Sequence, residues 1–208
     1  MKRRATEPVG GRLSRAMRSR LAICDACLDL VQEGLLQPSA DQIADRAGLS
    51  RRSIFYHFND LGALYDAVVE AGMRRYAPLA EEIPPELAVA DRVARLAQVR
   101  SGFFEATTPF RRALAAQALV GAASGQALRV ARELLRAHRN DIAELFRAEL
   151  EKHAPRERSE ILEALSAAAS PSTWEYLRFS RGLSARRARA IIERSLRSLL
   201  RDAGVDVH

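Results

Sequence analysis

Arg51 and Arg52 stand side by side in the segment RRSIFYH, with Tyr56 and His57 a little over one helical turn further on and Ser50 and Ser53 beside them. Guanidinium pairs of this kind suit phosphate oxygens or the O6/N7 edge of guanine, where one bidentate contact discriminates by about 1–3 kcal/mol. Other chemistry finds little support. The chain has no G-x-S-x-G, P-loop, H-E-x-x-H or dinucleotide-binding glycine motif. His57, His138, His153 and His208 are scattered, and none has a second His or a Cys three or four residues on. His138 with Asp141, and His153 with Glu157, have helical spacing for a shared metal, but two ligands are too few for a site. Cys24 and Cys27 form a C-x-x-C with no second ligand pair and no βαβ pattern around it, and their spacing with Leu28 and Val31 reads as part of an inward helix face. No catalytic residue, metal or cofactor is expected.

The elements that position the arginines are legible around them. Ser39 to His57 reads SADQIADRAGLSRRSIFYH. Ser39 with Gln42 three residues later is a capping box. Ile43 and Ala47 face one way, and Gly48 ends the helix where a left-handed residue is needed. Leu49 plugs the turn, and Ser50 caps a second helix anchored by Ile54 and Phe58. Ala44 is small where two helices must approach. This is the grammar of a helix-turn-helix, with Ser39, Ser50, Arg51, Arg52, Ser53, Tyr56 and His57 as candidate DNA contacts. Arg51 and Arg52 are the candidates for a guanine edge, with one of them expected on phosphate instead and Arg52→Ala expected to alter base preference, while Ser39 can offer its hydroxyl and nearby amides to a phosphate.

Around this stretch the chain of 208 residues reads as all-α. Ala, Leu, Arg and Glu dominate, glycine and proline are few, and the net charge is +7. Residues 1–13 read as a flexible basic arm; the first twenty residues carry Lys2, Arg3, Arg4, Arg12, Arg15, Arg18 and Arg20 against Glu7. A stripe of apolar side chains predicts a first helix from near Ser14 to Glu33, ended by Gly34. Asn59-Asp60 restarts a fourth helix through Leu64, Tyr65, Val68 and Val69, so that residues 14–76 form one DNA-binding domain. Pro78, Pro84 and Pro85 mark a connector. Helices are then expected at 86–106, 109–120, 125–152, 156–180 and 184–203, with Ser170-Pro171 kinking or dividing the fourth of these. The amino terminus lacks the apolar core of a signal peptide and no stretch is long enough to span a membrane, so a soluble cytoplasmic protein is expected.

Residues 20–70 resemble the DNA-binding domain of the TetR family of bacterial transcriptional regulators, through IADRAGLS, then FYHF, then Leu64 six residues beyond the last Phe. Two positions depart from the family pattern. Leu61 stands where a phosphate-touching Lys is usual, and Phe55 stands where Tyr is common. The resemblance implies that Tyr56 and His57 touch phosphate and that the last two long helices pair with those of a second subunit as a four-helix bundle. It implies that residues 77–208 form a regulatory and dimerisation domain holding a small-molecule effector, with operator DNA as partner and repression as the usual mode. Few polar groups stand out there, so an apolar effector is expected. Phe103, Phe104, Phe110, Leu114, Phe146, Trp174 and Tyr176 are candidate lining residues, with Gln117, His138 or Glu144 as polar anchors. The alternative is a dimeric DNA-binding regulator without an effector. Eight arginines between Arg178 and Arg201 against one acid, Glu193, read as a solvated helix face.

Overall fold

The computed structural model describes residues 9–119 and 125–207. Regular structure among them is helical throughout: α1 (Val9–Gln32), α2 (Ala40–Ala47), α3 (Arg51–His57), α4 (Leu61–Tyr76), α5 (Val89–Leu119), α6 (Gly125–Leu145), α7 (Arg147–Leu150), α8 (Pro155–Ala168), α9 (Pro171–Glu175) and α10 (Ala185–Asp202). None of these helices is long and apolar enough to cross a membrane. The chain divides into two compact units. One takes Met1–Arg75 with Pro109–Leu128, the other Tyr76–Thr108 with Arg129–His208. The stretch 109–128, expected to lie with the regulatory residues, therefore groups with the N-terminal ones.

The first unit is built on α1, which packs against α2 and α3. Ile23, Cys24, Cys27, Leu28 and Val31 are all buried along it. Burial pushes the Cys24 thiol up to about 11 and that of Cys27 to about 12, so neither supplies thiolate near neutral pH. Helix α1 begins at Val9, not at Ser14, so residues 9–13 of the expected arm are helical; residues 1–8 lie outside the described residues. Asp60 starts α4 by accepting from the Ala63 amide at 2.8 Å, and Leu64, Val68 and Val69 turn inward. Arg75 ties the other end of α4 to α1 through Asp29 at 2.7 Å and Asp25 at 2.9 Å. Gly72 has no room for a side chain. A Cβ there would lie 2.7 Å from Cζ of Phe110, whose ring is buried against it.

Helix α5 runs unbroken through Pro109, where two helices meeting near 107–109 were expected. Proline has no N–H for the Glu105 carbonyl and crowds the preceding turn, which normally breaks or kinks a helix. Thr107 and Thr108 just before it donate their hydroxyls back to the Phe103 and Phe104 carbonyls at 2.8 and 2.6 Å, which keeps polar groups of this buried turn satisfied. The expected helix 125–152 is instead divided at Phe146, whose backbone leaves the helical region. Arg92 accounts for the local order. Its guanidinium donates to the Leu145 carbonyl at the end of α6, pairs with Glu149 at 2.6 Å, and lies 5.4 Å from the Phe146 ring. Arg92 and Glu149 are both buried, and the hydrogen bond from Arg92 holds the Glu149 carboxyl below its usual range.

In the second unit α10 packs against α8 and α9. Its core gathers Leu96, Phe104, Ile142, Phe146, Leu165, Trp174, Ile192 and Leu196. Ser170 divides the expected helix 156–180 by capping α9 through the Thr173 amide, and Ser184 caps α10. Two of the arginines assigned to a solvated face are engaged. Arg178 holds Glu105, and Arg197 pairs with Glu193 at 2.9 Å while reaching the Ala90 carbonyl at 3.2 Å.

His138 is buried against Phe104, with ring centroids 6.2 Å apart, and its Nε2 lies 3.2 Å from the Ser166 carbonyl. Burial pulls its pKa down to about 4, aided by the nearby Arg100 charge.

Two outcomes follow from these contacts. Gly72→Ala forces a methyl into the Phe110 ring and destabilises the protein by about 1–3 kcal/mol, whereas Gly72→Ala combined with Phe110→Leu recovers part of the loss; denaturant unfolding measures both. His138 is neutral when folded and protonates near its ordinary value when unfolded, so its contribution is complete above about pH 6.5 and is lost as pH falls through about 4. The full loss is about 3 kcal/mol. His138→Leu removes this dependence, so the stability difference between variant and wild type stays flat above pH 6.5 and moves in the variant's favour towards pH 4.

Candidate nucleic-acid interface

Helix α3 has only seven residues and depends on its boundaries for its shape. On one side lies the turn from α2. Ser39 accepts from the Gln42 amide at 3.3 Å while the Gln42 side chain accepts from the Ser39 amide at 2.9 Å, completing the capping box. The Ser39 amide is thereby taken, so a phosphate at this end would meet the hydroxyl and the next amides instead. Gly48 closes α2 at φ +65, and the Leu49 amide reaches back to the Ala44 carbonyl at 2.9 Å. This is a Schellman closure, which a side chain at the left-handed position would strain. Ile43, Ala44, Ile54 and Phe58 are buried and Leu49 is half-buried, as a helix-turn-helix requires. Ser50 caps α3 by accepting from the Ser53 amide at 3.2 Å, and the two hydroxyls lie 2.9 Å apart.

The far end of α3 is held by a residue that the spacing did not reveal. Arg20 on α1 donates to the His57 carbonyl at 2.8 Å, and its guanidinium lies 4.2 Å from the centre of the Phe58 ring. A cation at a helix carboxy terminus is favoured by the dipole, and the ring face adds a cation–π contact. Arg20 was counted in the basic amino-terminal stretch, yet it serves to lock the candidate reading helix. Its position one turn before the apolar stripe of α1 was the available signal. On α2, Arg46 is likewise engaged, bidentate with Glu33.

What remains outward on α3 is selective. Tyr56 is 81% exposed, and its ring meets His57 edge-on at 5.1 Å. His57 and Ser53 are half-buried, while Arg51 and Arg52 are exposed. Arg51 pairs with Asp41 at 2.9 Å, whereas no hydrogen bond or ion pair is found for Arg52 among the described residues. Leu61 and Phe55, the two departures from the family pattern, are both exposed. The helix therefore turns two arginines, a phenol and an imidazole outward while its apolar side is locked. That arrangement can meet both phosphates and base edges.

The candidate effector residues divide between the two units. Phe110 and Gln117 fall in the first unit, while Phe103, Phe104, His138, Phe146 and Trp174 fall in the second. Phe104, Phe146 and Trp174 are packed into the core, Tyr176 is exposed, and Glu144 is an exposed partner of Arg147. The reason is that aromatic side chains in a helical protein serve the core first. His138 Nδ1 and Ser166 Oγ are buried without a hydrogen-bond partner among the described residues.

No protein-family model matches the chain. Over 75 residues, 36% of its length, the chain is 33% identical to TtgW, an uncharacterized HTH-type transcriptional regulator of Pseudomonas putida. The matched stretch spans 54% of that relative, so about half of its length is covered. Across 90% of the chain the structure is similar to 88% of a TetR-family transcriptional regulator from Streptomyces coelicolor, with a TM-score of 0.66 and 18% sequence identity. The fold is thus the one the resemblance implied: all-α, with an amino-terminal helix-turn-helix and a carboxy-terminal helical domain. The proteins it resembles are named as regulators, not as enzymes.

If Arg20 fixes the end of α3, Arg20→Ala costs about 1–2 kcal/mol through the lost carbonyl and ring contacts. It also raises amide exchange at Tyr56, His57 and Phe58 while leaving α8 and α10 protected. Exchange that rises evenly through both units would contradict this role.

Proposed function

We propose that the chain is a sequence-specific DNA-binding transcriptional regulator. It acts as a homodimer in the cytoplasm, as a repressor released when a small molecule binds among its carboxy-terminal helices. The observation that carries the DNA-binding part is α3: capped at one end, clamped by Arg20 at the other, and presenting Arg51, Arg52 and Tyr56 to solvent. A helix so held can lie in the major groove without first having to order itself.

Dimerisation is supported by reach and by surface. One seven-residue helix reads too few base pairs to define a site, which two-fold pairing remedies. Tyr176, Phe179 and Ile191 are exposed large apolar side chains on and before the last helix, of the kind that a second copy would cover. An effector is supported by His138 Nδ1 and Ser166 Oγ, buried polar atoms that a ligand hydroxyl would satisfy beside the Phe104 ring. The effector is therefore mainly apolar with one such group, and its entry requires core aromatics to part. A differential affinity of about 1–3 kcal/mol for the DNA-free state suffices for release.

Purified protein is expected to bind the duplex upstream of its own gene, more weakly as salt rises, with Tyr56→Phe losing affinity for every bound sequence alike. Equal affinity for that duplex and a scrambled one at every salt concentration would remove the case for sequence-specific binding.

A further inference from the structure

Arg51 and Arg52 are neighbours in sequence but not equivalents in structure. Arg51 Nη1 donates to Asp41 Oδ2 at 2.9 Å, ten residues back on α2. The Phe55 ring lies on the same helix, 5.8 Å from the Arg51 guanidinium carbon. Both members of the ion pair remain open to solvent, at 62% and 60% side-chain exposure, and Phe55 is 41% exposed. Arg51 therefore has a carboxylate and an aromatic ring as partners while N–H groups stay accessible. Arg52, one residue on, is exposed with no such bracket among the described residues.

We infer that Asp41 is a specificity-determining residue, one that positions Arg51 for a guanine edge and denies it to phosphate. The inference rests on the DNA-binding reading above. A guanidinium has five N–H groups, and Asp41 occupies one, so a bidentate edge is still left for O6 and N7. An unrestrained arginine follows the strongest nearby charge, which on DNA is the phosphate backbone. The carboxylate counters that pull, and its hold strengthens as DNA covers the pair and displaces water. Phe55 supplies the other wall, which gives a use to a position where the family often has Tyr. Arg52, with nothing to hold it, goes to phosphate. The sequence alone left both arginines as candidates for a guanine edge with one of them on phosphate, and singled out Arg52→Ala as the change that alters base preference.

The test selects binding sites for the full-length protein from a pool of duplexes randomised over the operator length, then measures affinity and salt dependence for wild type, Asp41→Asn, Arg51→Ala and Arg52→Ala. Asn keeps the shape of Asp at an exposed first-turn position, and unfolding curves check that each variant folds. In Asp41→Asn, preference at one base pair per half-site is expected to fall by about tenfold. The freed Arg51 adds a phosphate contact, steepening the plot of log affinity against log salt by about 0.9 per half-site. Arg51→Ala loses preference at the same pair, and adding Asp41→Asn to it changes that pair no further. Arg52→Ala weakens all sites evenly. The inference is overturned if Asp41→Asn leaves both preference and salt slope unchanged, if it alters a pair that Arg51→Ala does not, or if Arg52→Ala alone abolishes base preference. Wild type that enriches no sequence at all removes the DNA-binding reading and this inference with it; wild type that selects a site the variants select equally removes only the role of Asp41.

Discussion

The left-handed backbone at Gly48 is the constraint on which the helix-turn-helix depends. At φ +65 it sends the chain from α2 into α3 within three residues, and the Leu49 amide closing on the Ala44 carbonyl fixes the turn. Seven residues cannot hold a helix in water by themselves, because nucleation consumes most of what so few hydrogen bonds return. The shape of α3 is therefore supplied from outside: by Ser50 at its start, by Ile54 and Phe58 in the core, and by Arg20 at its end. A change at any of these alters the angle at which Arg51, Arg52 and Tyr56 are offered, even though none need touch a ligand.

Local devices were legible in the sequence because their partners lie within a turn. The Ser39–Gln42 capping box, Gly48 and the Ser50 cap all act over three or four residues, and all stand where the pattern put them. Devices whose partners are far along the chain were not. Arg20 and the His57 carbonyl are 37 residues apart, Arg92 and Glu149 are 57 apart, and no periodicity links either pair. Pro109 misled for a related reason. Its local effect is to break helices, but α5 continues through it with two threonine hydroxyls bonded to the preceding turn. The aromatic residues are ambiguous for a different reason, since a phenylalanine that lines a pocket and one that fills a core look identical in sequence.

The same distinction applies to charge. A run of arginines reads as solvated until its partners are known, yet Arg178 and Arg197 join elements of the second unit through Glu105 and the Ala90 carbonyl. Exposed ion pairs contribute little to stability. The buried Arg92–Glu149 pair is another matter, because losing one partner would strand a charge in the core. Arg92 thus makes the division between α6 and α7 a fixed feature, with the Leu145 carbonyl satisfied at the point where the helix stops.

On the proposed function, affinity and discrimination are separated along this chain. Leu61 is uncharged at the start of α4, and Asp41 pairs with one of the two outward arginines of α3, so the helix-turn-helix is less cationic than its arginine content suggests. The net charge is +7, and residues 1–20 hold seven basic side chains, among them Arg20, which is bound to α3. Phosphate attraction is long-ranged and indifferent to sequence, whereas base reading needs fixed geometry. A basic amino-terminal stretch can supply the first without disturbing the second. If α3 meets DNA as proposed, concentrating charge on it would draw its arginines to the backbone and weaken their reading of bases, which makes a helix of reduced charge in a chain with a basic amino-terminal stretch a physically coherent division of labour.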